Sequence, residues 1–202
     1  NPGAGVTYYR RGSAASALSV ADADGIDLAG VDVLHVSGIT AAISPTARAF
    51  LEELMIRARA ADVRISFDVN HRAPLWDAAT AAPVLLALAR RADIVFTGRD
   101  EAEVLWGTVR AEDVRALLPD VAELVVKDGD VGATAFTREG RAFVPSLVVD
   151  VVEPVGAGDA FAGGYLSVLL SNASIEDRLV AGHAFAARTL ASLTDTVEGS
   201  DL

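Results

Sequence analysis

Two hydrophobic periods alternate along the chain. Short apolar and β-branched runs occur at Val31-Asp32-Val33-Leu34-His35-Val36-Ser37-Gly38, at Val63-Arg64-Ile65-Ser66-Phe67-Asp68, from Ala92 to Thr97 and from Glu123 to Lys127. Each reads as a strand covered on both faces, because the apolar residues run on instead of alternating. Between them lie segments with helical spacing. One opens at Ser44-Pro45, with serine as N-cap and proline in the first position, and runs to about Ala61. Others cover Ala81 to Arg91, Arg99 to Leu105 and Ala111–Leu118. A last helix starts at Ser174-Ile175-Glu176-Asp177, read as a capping box with Glu176 as its acid, and continues to Leu193. Val6 to Arg10 reads as a short strand, and the chain after Lys127 as a hairpin through Phe136 and Phe143. The alternation predicts one α/β domain over residues 1–202: a doubly wound, mostly parallel sheet flanked by helices.

Composition narrows the function. The chain has 202 residues, enough for one sizeable core, and a formal net charge of −11 that no basic run offsets. That balance predicts no nucleic-acid partner. The absence of cysteine excludes disulfides and thiolate chemistry and fits a cytoplasmic protein. Charges interrupt every long apolar segment, so no membrane partner is expected. The opening Asn1-Pro2-Gly3-Ala4-Gly5 has no signal-peptide pattern and no initiating methionine, and reads as the inside of a longer chain.

Chemistry concentrates near Gly156. The run Val148-Val149-Asp150-Val151-Val152 reads as a strand entering the turn Gly156-Ala157-Gly158, and Asp159 to Leu170 as a small-residue helix. A helix that begins directly at such a turn leaves backbone N–H groups unpaired at its positive end, a site suited to phosphate. Asp159 then has two readings. It caps the helix, or it takes the proton of a hydroxyl that attacks the bound phosphoryl group. A Rossmann fingerprint would need glycine at Phe161, and a P-loop would need Gly-Lys-Ser/Thr, which the chain lacks.

The segment Gly156-Ala157-Gly158-Asp159-Ala160-Phe161-x-Gly163-Gly164 resembles the signature of the ribokinase-like (phosphofructokinase-B) family of sugar kinases. The resemblance implies ATP as phosphoryl donor, Mg²⁺ as its companion, Asp159 as catalytic base, and Gly156, Ala157 and Gly158 as an anion hole. Lys127-x-Gly129-x-x-Gly132 resembles the family's nucleotide loop; read by itself it is a hairpin lead-in with turn glycines. His183 falls at a position near the adenine in relatives, although a histidine in an alanine-rich helix is also an ordinary core residue. Glu101 matches the last residue of an Asn-x-x-Glu motif that organises magnesium and phosphates. Gly98 replaces the asparagine, and Glu101 also reads as one of several acids on a solvated helix face. Where relatives have Asp-Thr-x before the glycines, this chain has Glu153-Pro154-Val155, which leaves monovalent-cation dependence open.

Two further stretches concern the acceptor. Tyr8-Tyr9-Arg10 ahead of a Gly-Ser-Ala run, and Asp68-x-Asn70-x-Arg72-x-x-Leu75-Trp76, resemble the branch of the family that acts on the sugar acid 2-keto-3-deoxygluconate. Arginine suits such an acceptor because its fork matches a carboxylate, whereas a neutral sugar needs only hydroxyl and amide partners. The resemblance places Tyr8, Tyr9, Arg10 and, by a loose match, Asp195 at the substrate. It places Arg72 and Asn70 between substrate and nucleotide phosphates. The family's first strand and its sugar-binding glycine segment have no match, so residues near Tyr8 read as a remnant of a β lid through which copies of the chain pair. The alternatives are a kinase of fructose or ribose, and a non-catalytic nucleotide- or sugar-binding fragment.

Overall fold

The computed structural model describes residues 12–152 and 155–192. The expected strand at residues 6–10, with Tyr8, Tyr9 and Arg10, lies outside the described residues, as do Glu153, Pro154 and Asp195. Six strands form one sheet in chain order: β1 (Val33–Ser37), β2 (Arg64–Asp68), β3 (Ile94–Gly98), β4 (Glu123–Asp128), β5 (Gly132–Phe136) and β6 (Arg141–Pro145). The first four are parallel, and β5 and β6 continue the edge antiparallel, as the expected hairpin.

Alternation along these strands divides the core in two. Ile65, Phe67, Val95, Leu124 and Val126 face the crossover helices α3 (Pro45–Ala60), α4 (Ala78–Ala89), α5 (Arg99–Trp106) and α6 (Ala111–Leu117). Ile94, Phe96, Val125, Ala133 and Ala135 face the C-terminal helices α7 (Ala157–Ser167) and α8 (Ile175–Leu190). Helices thus flank both faces, as the strand–helix alternation implied. Two short helices escaped the pattern, α1 (Val20–Asp24) and α2 (Gly38–Ile43), each too brief to show an apolar stripe. Among the described residues, no helix is long and apolar enough to cross a membrane.

Local signals explain the helix ends. Ser44 Oγ accepts from Ala47 N–H at 3.0 Å with Pro45 behind it. Asp77 accepts from Thr80 N–H at 2.8 Å, which starts α4 three residues earlier than its apolar spacing suggests. At α8, Ser174 Oγ accepts from Asp177 N–H at 3.1 Å, so Asp177 occupies the capping-box position and Glu176 does not. One segment departs from expectation more widely. Residues 148–152 join no strand, and Val148, Val151 and Val152 are exposed. The chain leaves the sheet at Pro145 and crosses toward α8, where Val152 N–H donates to Leu190 O at 2.8 Å. Valine favours a strand only where a partner strand and a pleated surface receive it, and none does here. Helix α7 likewise stops at Ser167, and Leu169–Ser171 form a separate 3-10 turn.

Glycines set the packing of α7 on α8. A Cβ on Gly164 would lie 2.6 Å from Ala181 O and 2.9 Å from Phe185, and one on Gly182 would lie 2.9 Å from the Phe161 ring. Below this contact the buried Tyr165 hydroxyl donates to Glu123, which also accepts from Arg178 Nη1 of α8 at 2.9 Å. Burial, with the Glu123 charge beside it, pushes the tyrosine pKa far up and keeps the hydroxyl a donor. Gly164→Ala should therefore overpack the helix contact, at about 1–3 kcal/mol. The neighbouring Gly163→Ala, where a Cβ meets nothing within 4 Å, should be neutral or slightly stabilising. Thermal unfolding of the two variants side by side checks this contrast.

Candidate active site

The C-terminal ends of the parallel strands lie side by side, with Ser37 opposite Asp68 and Gly98 opposite Lys127. In open α/β sheets that edge is where ligands bind. The start of α7 faces it. Gly156 caps the helix in the left-handed region at φ 83°, a conformation that costs a side-chain-bearing residue about 1 kcal/mol or more. The first helical bond runs from Ala160 N–H to Gly156 O at 2.8 Å, so the amides of Ala157, Gly158 and Asp159 precede the helical ladder. Unpaired amides at the positive end of a helix suit an anion.

Asp159 is exposed, and among the described residues its carboxylate takes part in no hydrogen bond or ion pair. The capping reading therefore loses its support, because a cap would show the carboxylate on a backbone N–H. Beneath the same turn, the Lys127 ammonium lies 3.5 Å from where a Cβ of Gly158 would be, and pairs with Asp68 Oδ2 at 3.0 Å.

A cleft of about 800 Å³ runs from this turn between α7 and α8 on one side and the loop after β4 on the other. Of the expected nucleotide and anion-hole residues, Lys127, Gly129, Gly132, Ala157, Gly158 and His183 line it, while Gly156 and Asn70 lie outside its lining. Gly132 has φ 148° and no room for a Cβ, which would lie 2.4 Å from Val144 O. The side chain of Ser146 clamps this loop by donating to Asp130 O at 2.6 Å. Both descriptions of His183 hold at once. It is buried, edge-on to Phe161 at 5.1 Å, and its ring contributes to the cleft wall. Its Nε2–H donates to the Val144 carbonyl at 3.1 Å, and burial lowers its pKa, so the ring is neutral. Leu147, Val148, Val151, Ala186, Ala187 and Leu190 supply apolar wall of the kind that takes a flat base.

Asn70, Arg72 and Glu101 stand beside the cleft, outside its lining. Glu101 is largely occupied in holding the loop after β2. It accepts from His71 N–H on one oxygen, and from Thr97 Oγ1 at 2.9 Å and Gly98 N–H at 3.1 Å on the other. Asn70 is left-handed at φ 45°, and its buried Oδ1 has no hydrogen-bond partner. Arg72 Nη1 donates to His71 O at 3.1 Å. Among the described residues, no three acidic or histidine side chains converge as a metal cage.

Two residues escaped the sequence reading. Asp68 closes β2 as a buried carboxylate, and its buried setting is what betrays a partner. Arg99 reaches Asp128 at 2.7 Å and Glu103 at 2.9 Å, and also binds Asp100, fixing the start of α5 to the end of β4. The arginine's i,i+4 spacing to Glu103 was visible; its bond across strands to Asp128 was not.

The chain belongs to the pfkB family of carbohydrate kinases, which it matches over residues 6–196. It is 39% identical over 188 residues to the 2-dehydro-3-deoxygluconokinase of Bacillus subtilis (strain 168), an alignment spanning 90% of this chain and 57% of the relative. The PfkB protein from Polaromonas sp. JS666 superimposes with a TM-score of 0.83 at 34% identity, over 94% of this chain and 64% of that one. Aminoimidazole riboside kinase from Salmonella enterica, solved with aminoimidazole riboside and an ATP analog, gives a TM-score of 0.70 at 30% identity, over 81% and 58%. The chain thus spans somewhat more than half the length of these relatives.

Burial, together with the charge of Asp68, raises the pKa of Glu101 despite its three donors. A carboxyl whose native pKa lies above its unfolded value contributes most stability below the ordinary 4.5, and the contribution fades as pH rises through the native value. The stability difference between wild type and Glu101→Gln should therefore shift in favour of the glutamine variant from about pH 4 to pH 7. Urea unfolding of both proteins across that range measures it.

Proposed function

We propose that the whole protein transfers the γ-phosphoryl group of ATP to a hydroxyl of a sugar acid, 2-keto-3-deoxygluconate, the compound also called 2-dehydro-3-deoxygluconate. The observation that carries this reading is the start of α7: free helix-start amides, an unengaged Asp159 carboxylate and the Lys127 ammonium, all at the mouth of one cleft. The name of the Bacillus subtilis relative and the ATP analog bound by the Salmonella enterica kinase support the acceptor and the donor.

The chemistry follows from the geometry. Mg²⁺ accompanying ATP would supply charge neutralisation at its phosphates, and Glu101 is the residue of this chain that the motif would set toward that network. The base and ribose lie along the cleft by His183, Gly129 and Gly132, which brings the γ-phosphoryl to the amides of residues 156–158. Asp159 accepts the proton of the acceptor hydroxyl as its oxygen attacks phosphorus. The bond to the bridging oxygen breaks, and ADP leaves with that electron pair. The helix dipole and the amides stabilise the negative charge spread over the transferring group. Glu101 holds the loop that carries Asn70 and Arg72 toward the junction of acceptor and phosphates. Tyr8, Tyr9, Arg10 and Asp195 complete the acceptor pocket in this reading, with Arg10 directed at the sugar carboxylate.

Asp159→Asn keeps the size of the side chain and removes the base. Turnover should fall by about 10²–10⁴-fold with folding unchanged. Near-wild-type turnover in a coupled ADP-release assay would sink the assignment. Specificity has its own test. Arg10→Ala should lower kcat/KM for 2-keto-3-deoxygluconate by about ten- to a hundredfold and leave a neutral ketose nearly unchanged, since a charge-assisted hydrogen bond contributes about 1.5–3 kcal/mol. Arg72→Ala should weaken both acceptors. Equal losses on acid and ketose for Arg10→Ala would remove the sugar acid and leave a sugar kinase with another acceptor.

A further inference from the structure

We propose that Asp68 is a positioning residue, whose carboxylate fixes the Lys127 ammonium beneath the amides of α7 so that the lysine charge meets the phosphoryl group in flight. The inference rests on phosphoryl transfer at this site, and not on which sugar accepts.

The geometry behind it is unusual for an ion pair. Asp68 ends β2 and Lys127 belongs to β4, with β3 between them. The lysine side chain crosses β3, where its register partner is Gly98, a position with no side chain to stand in the way. The pair is shielded, with side-chain exposures of 4% for Asp68 and 19% for Lys127, so water weakens it little. The ammonium then rests between two places: Oδ2 of Asp68 at 3.0 Å and the Gly158 turn. A lysine on four rotatable bonds does not hold such a point unaided.

Lys127 is also the only lysine of the chain. His35, which feels the charges of Asp68, Asp159 and Lys127, is hydrogen-bonded to Ser66 Oγ at 2.9 Å, and two nearby arginines are engaged elsewhere. Arg99 binds Asp128, Glu103 and Asp100, and Arg72 donates to His71 O. Among the described residues, no other cation lies at hydrogen-bond distance from Asp68. Without Asp68, the ammonium would remain half-enclosed and unpaired, and would swing toward Asp159 or solvent. Misplacement of a charge by an ångström is enough to cost a large factor in transfer rate.

The test is a double-mutant cycle in the whole protein, using Asp68→Asn, Lys127→Met and both together. Asp68→Asn should lower kcat by about ten- to a hundredfold with the acceptor KM nearly unchanged, and Lys127→Met should lower it at least as far. The double variant should be no slower than Lys127→Met alone, because Asp68 acts through the lysine. Multiplying losses would overturn the proposal, as would Asp68→Asn turning over within about twofold of wild type. Should Asp68→Asn alone fold poorly, the comparison of the double variant with Lys127→Met still decides, since both lack the buried ammonium. The same cycle is read by calorimetric titration with Mg-ATP. A wild type that binds Mg-ATP but phosphorylates no sugar would refute the proposed function; the positioning role would then stand or fall on whether the two substitutions are coupled in Mg-ATP affinity.

Discussion

The close approach of α7 to α8 governs the whole site. A helix N-terminus binds an anion only if it is aimed at one, and a helix of eleven residues has little stiffness of its own in water. Its direction is fixed by contacts farther along. Gly164 lets the two backbones meet, Phe161 packs on Gly182, and Tyr165 is tied through Glu123 to Arg178 of α8. Two of those contacts run to α8 directly and the third reaches it through Glu123, at the start of β4, whose other end carries Lys127. The helix that presents the amides and the strand that presents the lysine are therefore braced against each other.

Charge is arranged on a finer scale than the net value of −11 suggests. An acidic chain repels a nucleotide at long range, so the local field must be reversed near the cleft. The reversal comes from unpaired amides, a helix dipole and one ammonium, none of which counts strongly in a composition. Three carboxylates then have three different settings. Asp68 is buried and paired, Glu101 is half-buried and bonded to two backbone amides and a hydroxyl, and Asp159 is exposed and, among the described residues, unengaged. Only the last carries a carboxylate without such partners among the described residues, so it alone fits the proton-accepting role proposed for it.

Much of this was legible along the chain. The four parallel strands, the hairpin and five of the larger helices announced themselves by period and by caps such as Ser44-Pro45, and the glycine turn before Asp159 announced the free amides at the start of α7. The misreadings share a cause. Residues 148–152 have strand composition but no partner strand. Glu176 and Asp177 differ by one position in a cap whose geometry is set by the backbone. Glu101 had two readings, a link to magnesium and phosphates and one acid of a solvated face, and the second fails because the loop after β2 comes to rest on its carboxylate.

What the sequence determined by itself is what depends on neighbours in the chain: strand and helix periods, the turn glycines, and the order Gly-x-Gly-Asp that puts amides and a carboxylate within one helical turn. What only the tertiary structure decided is every relation across strands. Asp68 and Lys127 are 59 positions apart, Tyr165 and Glu123 are 42 apart, and Arg99 and Asp128 are 29 apart. No local pattern encodes such pairs. They arise because the sheet brings strand ends together in register, where charges and hydroxyls drawn out of water must find partners in one another.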